Sequence, residues 1–308
     1  MRRLAVLALA VIALPAGSAA AQDTASPACT PRSAPIPQGE ATLVSETVLA
    51  NTGGRLRTEV LQSPALGGQT RVNVLLPSDY DPSGATRYPV LYLLHGAITD
   101  YNDWNYNGGI LSLVDQVTAA KGLPPFIVVM PDAGHYGWYS DWYGSDPYST
   151  GPPPAWSRYH VGELIPWIDR TFPTVGDRTG RAIAGLSMGG FGAMSYTARY
   201  PDLFAAAGSF SGALNPTYGP GYGQAFVTLA SAYFNDGRVT QCIWGDPVTQ
   251  QARWEGHDPT VLASNITATS LFVASGGGDA EQPTGLVPRP EDMTSPVGMI
   301  ATPVEQTC

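Results

Sequence analysis

The sequence predicts an α/β fold: a mostly parallel central sheet with antiparallel strands at its N-terminal end and helices on both faces. Three observations carry that expectation. Short continuous apolar runs recur from residue 90 onward, each closing on Gly, Pro, Asp or Ser. Longer stretches with helical spacing separate them, as crossovers between buried parallel strands require. Before residue 90 the texture differs, with β-rich runs punctuated by turn signals in the manner of hairpins.

Taken in order, β-type runs span 42–49, 55–61 and 71–76, parted by Asn51-Thr-Gly-Gly54 and Leu66-Gly-Gly68. Buried strands are expected at 90–94, 126–130, 182–186, 205–210 and 271–274, and helices near 110–121, 156–171 and 189–199. Residues 215–265 show weaker periodicity and many aromatics, which reads as a cap inserted over the sheet. In an open α/β sheet the chemistry sits beyond the carboxyl ends of the strands.

Three regions divide the 308 residues. Arg2 and Arg3, the apolar stretch 4–14 and Ala19-Ala20-Ala21 read as a signal peptide over 1–21, so a secreted protein is expected with no stable membrane anchor. Residues 22–39, rich in Pro, Ala and Ser, read as a flexible exposed arm. Residues 40–308 form one domain. The 44% hydrophobic content and 7 Trp argue for a packed globule despite 28 Pro and 35 Gly. A net charge of −9, with Lys121 the only lysine, removes nucleic acid as a partner. Export permits disulfides, and Cys29, Cys242 and Cys308 allow at most one bridge within the chain, its pairing open.

Gly185-Leu186-Ser187-Met188-Gly189 falls at the junction of an expected strand and an expected helix. That is the setting of a nucleophile elbow and assigns the α/β-hydrolase fold. Ser187 must occupy a tight strand-to-helix turn, and glycines two residues to either side leave room for the backbone. The helix start supplies unpaired N–H groups and a positive dipole end for a developing oxyanion, with Met188 N–H as one donor. The second donor is expected from the loop after strand 90–94, at Ala97 N–H. His95 in that loop is expected to orient it rather than act as base.

These motifs, taken together, resemble the secreted antigen 85 mycolyltransferases and the esterase D-like enzymes of the same superfamily. Val90-Leu-Tyr-Leu-Leu-His-Gly96 with Asp100-Tyr-Asn-Asp-Trp104 resembles the oxyanion loop of that family. Val128-Val-Met-Pro131 with Tyr139-Ser-Asp-Trp-Tyr143 is similar to its next strand and active-site loop. Ala184-Gly-Leu-Ser-Met-Gly-Gly190, Tyr200-Pro201 and Ser211-Gly-Ala-Leu-Asn-Pro216 follow in the family's order, then Trp244-Gly-Asp246, His257-Asp-Pro259 and Phe272-Val-Ala-Ser-Gly276. The resemblance covers residues 70–308. It implies a Ser, Asp or Glu, His triad in that chain order and acyl-enzyme chemistry on esters.

Two carboxylates compete for the acid. Asp279 follows strand 271–274 through Ser275-Gly-Gly-Gly278, and Glu305 stands in Pro303-Val-Glu-Gln-Thr-Cys308. The nearer likeness favours Glu305, with Asp279 the alternative. The base should follow the acid, yet His95, His135, His160 and His257 all precede both. The expectation is therefore a chain that stops as a helix begins at Glu305, without the last helix, the last strand and the catalytic histidine, leaving a sheet edge exposed.

Asp103, Trp104, His135 and Trp142 are the candidate substrate-binding residues, among aromatics suited to sugar faces and acyl chains alike. Packing of long loops is the equal alternative. The expected partner is a small-molecule or glycolipid ester, with a sugar as possible acceptor. No metal-ligand spacing and no phosphate loop occur, so no cofactor is expected. Two non-enzymatic readings stand beside the esterase or acyltransferase: a catalytically inactive secreted binding protein of the same fold, and a cell-envelope protein.

Overall fold

The computed structural model describes residues 29–83, 85–145, 151–218 and 241–275. The expected signal peptide over 1–21, Cys308 and both candidate acids, Asp279 and Glu305, lie outside the described residues.

Eight strands form the main sheet: β2 (Thr42–Val48), β3 (Leu56–Ser63), β4 (Gly68–Leu75), β5 (Val90–Leu94), β6 (Ile127–Pro131), β8 (Arg181–Leu186), β9 (Ala206–Phe210) and β10 (Ser270–Ala274). Two further strands, β1 (Thr30–Pro31) and β7 (Gly144–Ser145), make a separate antiparallel pair. The sheet order is β10-β9-β8-β5-β6-β4-β3-β2. From β10 to β6 neighbours are parallel, and from β6 to β2 antiparallel. After β5 the chain crosses to one side, to β6, and then back over to β8 on the other. This reversal opens a crevice beyond the carboxyl ends of β5 and β8.

Alternation along the central strands shows why their sequence is apolar throughout. Val90, Tyr92 and Leu94 of β5, with Ile127 and Val129 of β6, face one core. Leu93 of β5, with Val128 and Met130 of β6, faces another, covered by α2 (Ile110–Lys121) through Ile110 and Val114. Each strand is buried on both sides, so no polar alternation survives. The first core is covered by α5 (Met188–Arg199), whose residues Met188 through Ala198 are all buried. At the β10 edge Leu271 and Phe272 are 52% and 57% exposed.

Three expectations change. The arm over 22–39 is not free from Cys29 onward: Cys29 is bridged to Cys242, β1 pairs with β7, and Arg32 Nη2 donates to Pro153 O at 2.7 Å. Most of its side chains face water, but Cys29, Arg32 and Ile36 are half-buried and the backbone is anchored. The helix over 156–171 is three segments: α3 (Trp156–Tyr159), a π-turn (His160–Leu164) and α4 (Ile165–Thr171). Pro166 has no N–H to return to residue 162 and its ring crowds the preceding turn, so the helix widens just before it. The hairpin β3–β4 also runs further than its apolar pattern, because Gln62, Ser63, Gly68 and Gln69 pair through the backbone. Of the expected cap over 215–265, the described part holds α6 (Gln241–Trp244), α7 (Gln251–Glu255) and a short 3-10 turn.

Candidate active site

Ser187 sits between β8 and α5 with φ 54° and ψ −114°. A side chain there is strained, since the region is one that only glycine enters freely. The turn is held from both sides, with Ser187 N–H donating to Phe210 O at 2.8 Å and Ser187 O accepting Phe191 N–H at 3.0 Å. Close approach explains the flanking glycines. A Cβ on Gly185 would meet the Gly189 backbone, and one on Gly189 would meet the carbonyls of Leu94 and His95. The start of α5 is thereby pressed onto the end of β5, where Leu94 pairs with Gly185.

The strain is not confined to Ser187. Ile98, Trp138, Tyr139 and Ser211 also have positive φ, between 49° and 64°. With Ser187 they follow β5, β6, β8 and β9, so every strained non-glycine backbone among the described residues lies in the loops beyond the carboxyl ends of parallel strands. Such residues persist only where the surroundings over-determine them, and they gather at functional sites.

His95 ties two of these loops together. Its ring is 1% exposed. Nε2 accepts Ala133 N–H at 3.0 Å, so Nδ1 carries the proton and donates to Gly96 O at 2.7 Å. Asp132 Oδ1, 3.6 Å from Nε2, is out of hydrogen-bond reach and accepts Gly134 N–H at 2.9 Å instead. The Tyr139 hydroxyl donates to His95 O at 2.9 Å. With both ring nitrogens used, His95 positions the loop 95–97 beside the elbow. Among the described residues neither Ala97 N–H nor Met188 N–H has a hydrogen-bond partner. Tyr139 and Thr99, whose hydroxyl lies 2.9 Å from Gly96 O, are parts of this frame that the sequence does not mark as functional. Tyr139 lies within the aromatic motif 139–143, but nothing in that motif says which ring turns inward.

The other histidines divide. His160 is buried, its Nε2 donating to Asp132 O and its Nδ1 accepting the Tyr196 hydroxyl, both at 2.9 Å, and burial pushes it down to about 4. His257 packs beside α5, its backbone carbonyl accepting the Ser195 hydroxyl at 2.9 Å. His135 is exposed, and its backbone carbonyl accepts Ile98 N–H at 2.9 Å, which fixes its loop against the one beside Ser187. No hydrogen bond joins Ser187 Oγ to a histidine among the described residues.

The expected substrate-facing residues mostly turn to other tasks. Asp103 accepts from Thr99 Oγ1 at 3.1 Å and Asn107 Nδ2 at 2.7 Å, bracing the loop and the short helix α1 (Asp103–Tyr106). Trp104 Nε1 donates to Leu94 O at 3.1 Å while its ring packs on the second core. Trp142 donates to Gly137 O at 3.1 Å and lines a different cavity, with Arg32 and Arg199. These contacts fix both indoles through their N–H groups, and each ring stays half-buried.

The family model described as "Putative esterase" matches residues 63–295. The chain is 40% identical over 216 residues to the esterase Rv1288 of Mycobacterium tuberculosis, covering 70% of this chain and 44% of that protein. It thus spans less than half the length of that relative. To the diacylglycerol acyltransferase/mycolyltransferase Ag85B of Mycolicibacterium smegmatis it is 30% identical over 228 residues, covering 72% of this chain and 64% of the relative. Among solved structures, MPT51 (FbpC1) of Mycobacterium tuberculosis superposes with a TM-score of 0.53 at 22% identity, covering 86% of each chain. An S-formylglutathione hydrolase from Agrobacterium tumefaciens gives 0.55 at 20% identity, over 80% of this chain and 83% of that one. These two likenesses bear on the fold, whereas the match over residues 63–295 bears on descent: the chain belongs to the esterase family, built on the α/β-hydrolase fold.

Proposed function

We propose that this chain is a secreted serine esterase or acyltransferase in which Ser187 attacks a carboxylic ester and holds the acyl group as a covalent intermediate. One observation carries the reading: a serine with φ 54° heads a buried helix, directly after a parallel strand at the sheet's crossover reversal. Attack breaks the Ser187 O–H bond, its proton passing to the base and from there to the leaving alcohol, and moves the carbonyl electrons onto oxygen. The Met188 and Ala97 N–H groups are the donors for that oxyanion, and both lack another partner among the described residues. Collapse expels the alcohol. Water or a second alcohol, such as a sugar, then takes the acyl group, and the relatives carry both esterase and acyltransferase names.

Asp279 and Glu305 remain the candidates for the acid that fixes the base. Export is supported by the Cys29–Cys242 bridge, which an oxidising compartment maintains. No helix among the described residues is long and apolar enough to cross a membrane. The second reading, a binding protein that keeps the fold without turnover, is favoured by the lack of any histidine bonded to Ser187 Oγ among the described residues. A fluorophosphonate probe decides between them. Stoichiometric labelling that vanishes in Ser187→Ala supports the enzyme, whereas a folded chain that takes up no label supports the binding protein.

A further inference from the structure

Around the last turn of α5, where Arg199 lies about 18 Å of helix rise from Ser187, a cavity of ≈ 340 Å³ opens. Its walls come from four segments. The anchored N-terminal strand supplies Arg32, the loop after β6 supplies Asp141 and Tyr143, the last turn of α5 supplies Arg199, and α7 with the turn after it supplies Arg253 and His257. Three guanidiniums thus share one carboxylate.

None of the three arginines forms an ion pair among the described residues. Neutral groups hold them instead. Arg32 is tied to the carbonyls of Trp142, Pro153 and Pro154. Arg199 and Arg253 lie over the rings of Tyr200 and Tyr143, 5.4 and 5.3 Å from the centroids. Asp141 Oδ1 accepts the Arg158 N–H at 2.9 Å. Burial lowers the Arg32 guanidinium from its usual range, Asp141 opposes that shift and Arg253 adds to it. The cavity therefore carries an excess of positive charge, three guanidiniums against the one carboxylate of Asp141, with part of each guanidinium's donor set left over.

His257 is an independent observation. Its ring is 7% exposed and stacked on Trp244 at 5.5 Å. Nδ1 donates to Arg253 O at 2.7 Å, so Nε2 is left as an acceptor. That atom is buried and has no hydrogen-bond partner among the described residues. Burial, then Arg199 and Arg253, push the imidazole down to about 3, which keeps it a neutral acceptor. A buried acceptor without a donor destabilises the fold unless something supplies one.

A ligand that satisfies this cavity must bring negative oxygens for the guanidiniums and one O–H for Nε2. Monohydrogen phosphate has both. Sulfate and the dianion of a phosphate monoester match its charge but carry no acidic proton. We propose that the cavity walled by Arg32, Arg199, Arg253 and His257 is a binding site for free inorganic phosphate, the arginines donating to its oxygens and its P–OH donating to His257 Nε2. The site is separate from the Ser187 crevice and does not depend on what that crevice does.

Calorimetric titration of the full chain at about pH 8, where phosphate is the monohydrogen dianion and a free imidazole is neutral, tests the assignment. Inorganic phosphate is expected to bind saturably at one site, with sulfate and glycerol phosphate at least about tenfold weaker because they leave Nε2 unpaired. Arg199→Gln and Arg253→Gln should each weaken phosphate about tenfold or more, by removing a charged donor. His257→Phe should erase the preference for phosphate over sulfate. Equal binding of phosphate and sulfate by the unaltered chain overturns the proposal, as does wild-type affinity in Arg253→Gln. If the variants fail to fold, the phosphate-to-sulfate ratio of the unaltered chain decides by itself.

Discussion

Replacing Ser187 by alanine and by glycine separates the strain at the elbow from its chemistry. Both substitutions remove the hydroxyl, so neither enzyme turns over beyond background, and they differ only in the Cβ. With φ 54° and ψ −114°, that Cβ sits in a region where a non-glycine residue costs about 1–3 kcal/mol. Glycine relieves this but gives up roughly 0.5–1 kcal/mol of extra chain entropy on folding. Ser187→Gly should therefore be more stable than Ser187→Ala by about 1–2 kcal/mol. At about 2–4 °C per kcal/mol for chains of this size, the gap in Tm is roughly 2–8 °C. Differential scanning fluorimetry reads it directly, with urea melts as a check on the free energy. A Ser187→Gly variant no more stable than Ser187→Ala would refute the view that backbone strain is stored at this turn.

Further outcomes follow from other parts of the fold. Glu59, 1% exposed and paired across the β2–β3 ladder with Glu46, is raised to about 7 by burial, then by the Glu46 hydrogen bond and charge, against the pull of Arg57. Its folded value lies above the unfolded one, so its stabilising contribution is full below about pH 4.5 and is lost as pH rises through about 7. At about 1.36 kcal/mol per pH unit, Glu59→Gln should be stabilising by roughly 1–3 kcal/mol at pH 8 and nearly neutral at pH 4 in urea melts; an equal effect at both would contradict the assignment. Gly189→Ala, driving a methyl into the Leu94 and His95 carbonyls, should lose about 1–3 kcal/mol and most activity, as melting and ester hydrolysis would report. His95→Ala frees the loop that carries Ala97, and kcat for a p-nitrophenyl ester should fall about 10²-fold with KM little changed. An unchanged kcat would remove His95 from the positioning role.

The strands of the parallel half were legible because each is apolar on both faces and stops at a residue that cannot continue it. The elbow was legible for a related reason: only a glycine-flanked serine fits where a helix is pressed onto a neighbouring strand. Other features were hidden. Nothing in the run 156–171 announces a π-turn except Pro166, whose effect depends on the packing around it. Trp104 and Trp142 look like exposed platforms in a string of letters, since the carbonyls that take their N–H groups, Leu94 and Gly137, are ordinary backbone. The arginine cavity draws on four segments far apart in sequence, and no local pattern joins them. The partner of Cys29 was open among three cysteines until Cys242 was seen 5.2 Å away, Cα to Cα.

That bridge ties residue 29 to residue 242, a separation of 213 positions. Every strand of the main sheet except β10 lies within the ring it closes. If the chain is exported from its N-terminus, as proposed above, Cys29 emerges long before its mate, and its thiol waits, unoxidised or mispaired, while the sheet assembles around β5 and β8. Oxidation then acts as a late latch on a nearly finished body rather than as a guide to its assembly, and the last stretch to be clamped is the one that carries Arg32 to its cavity.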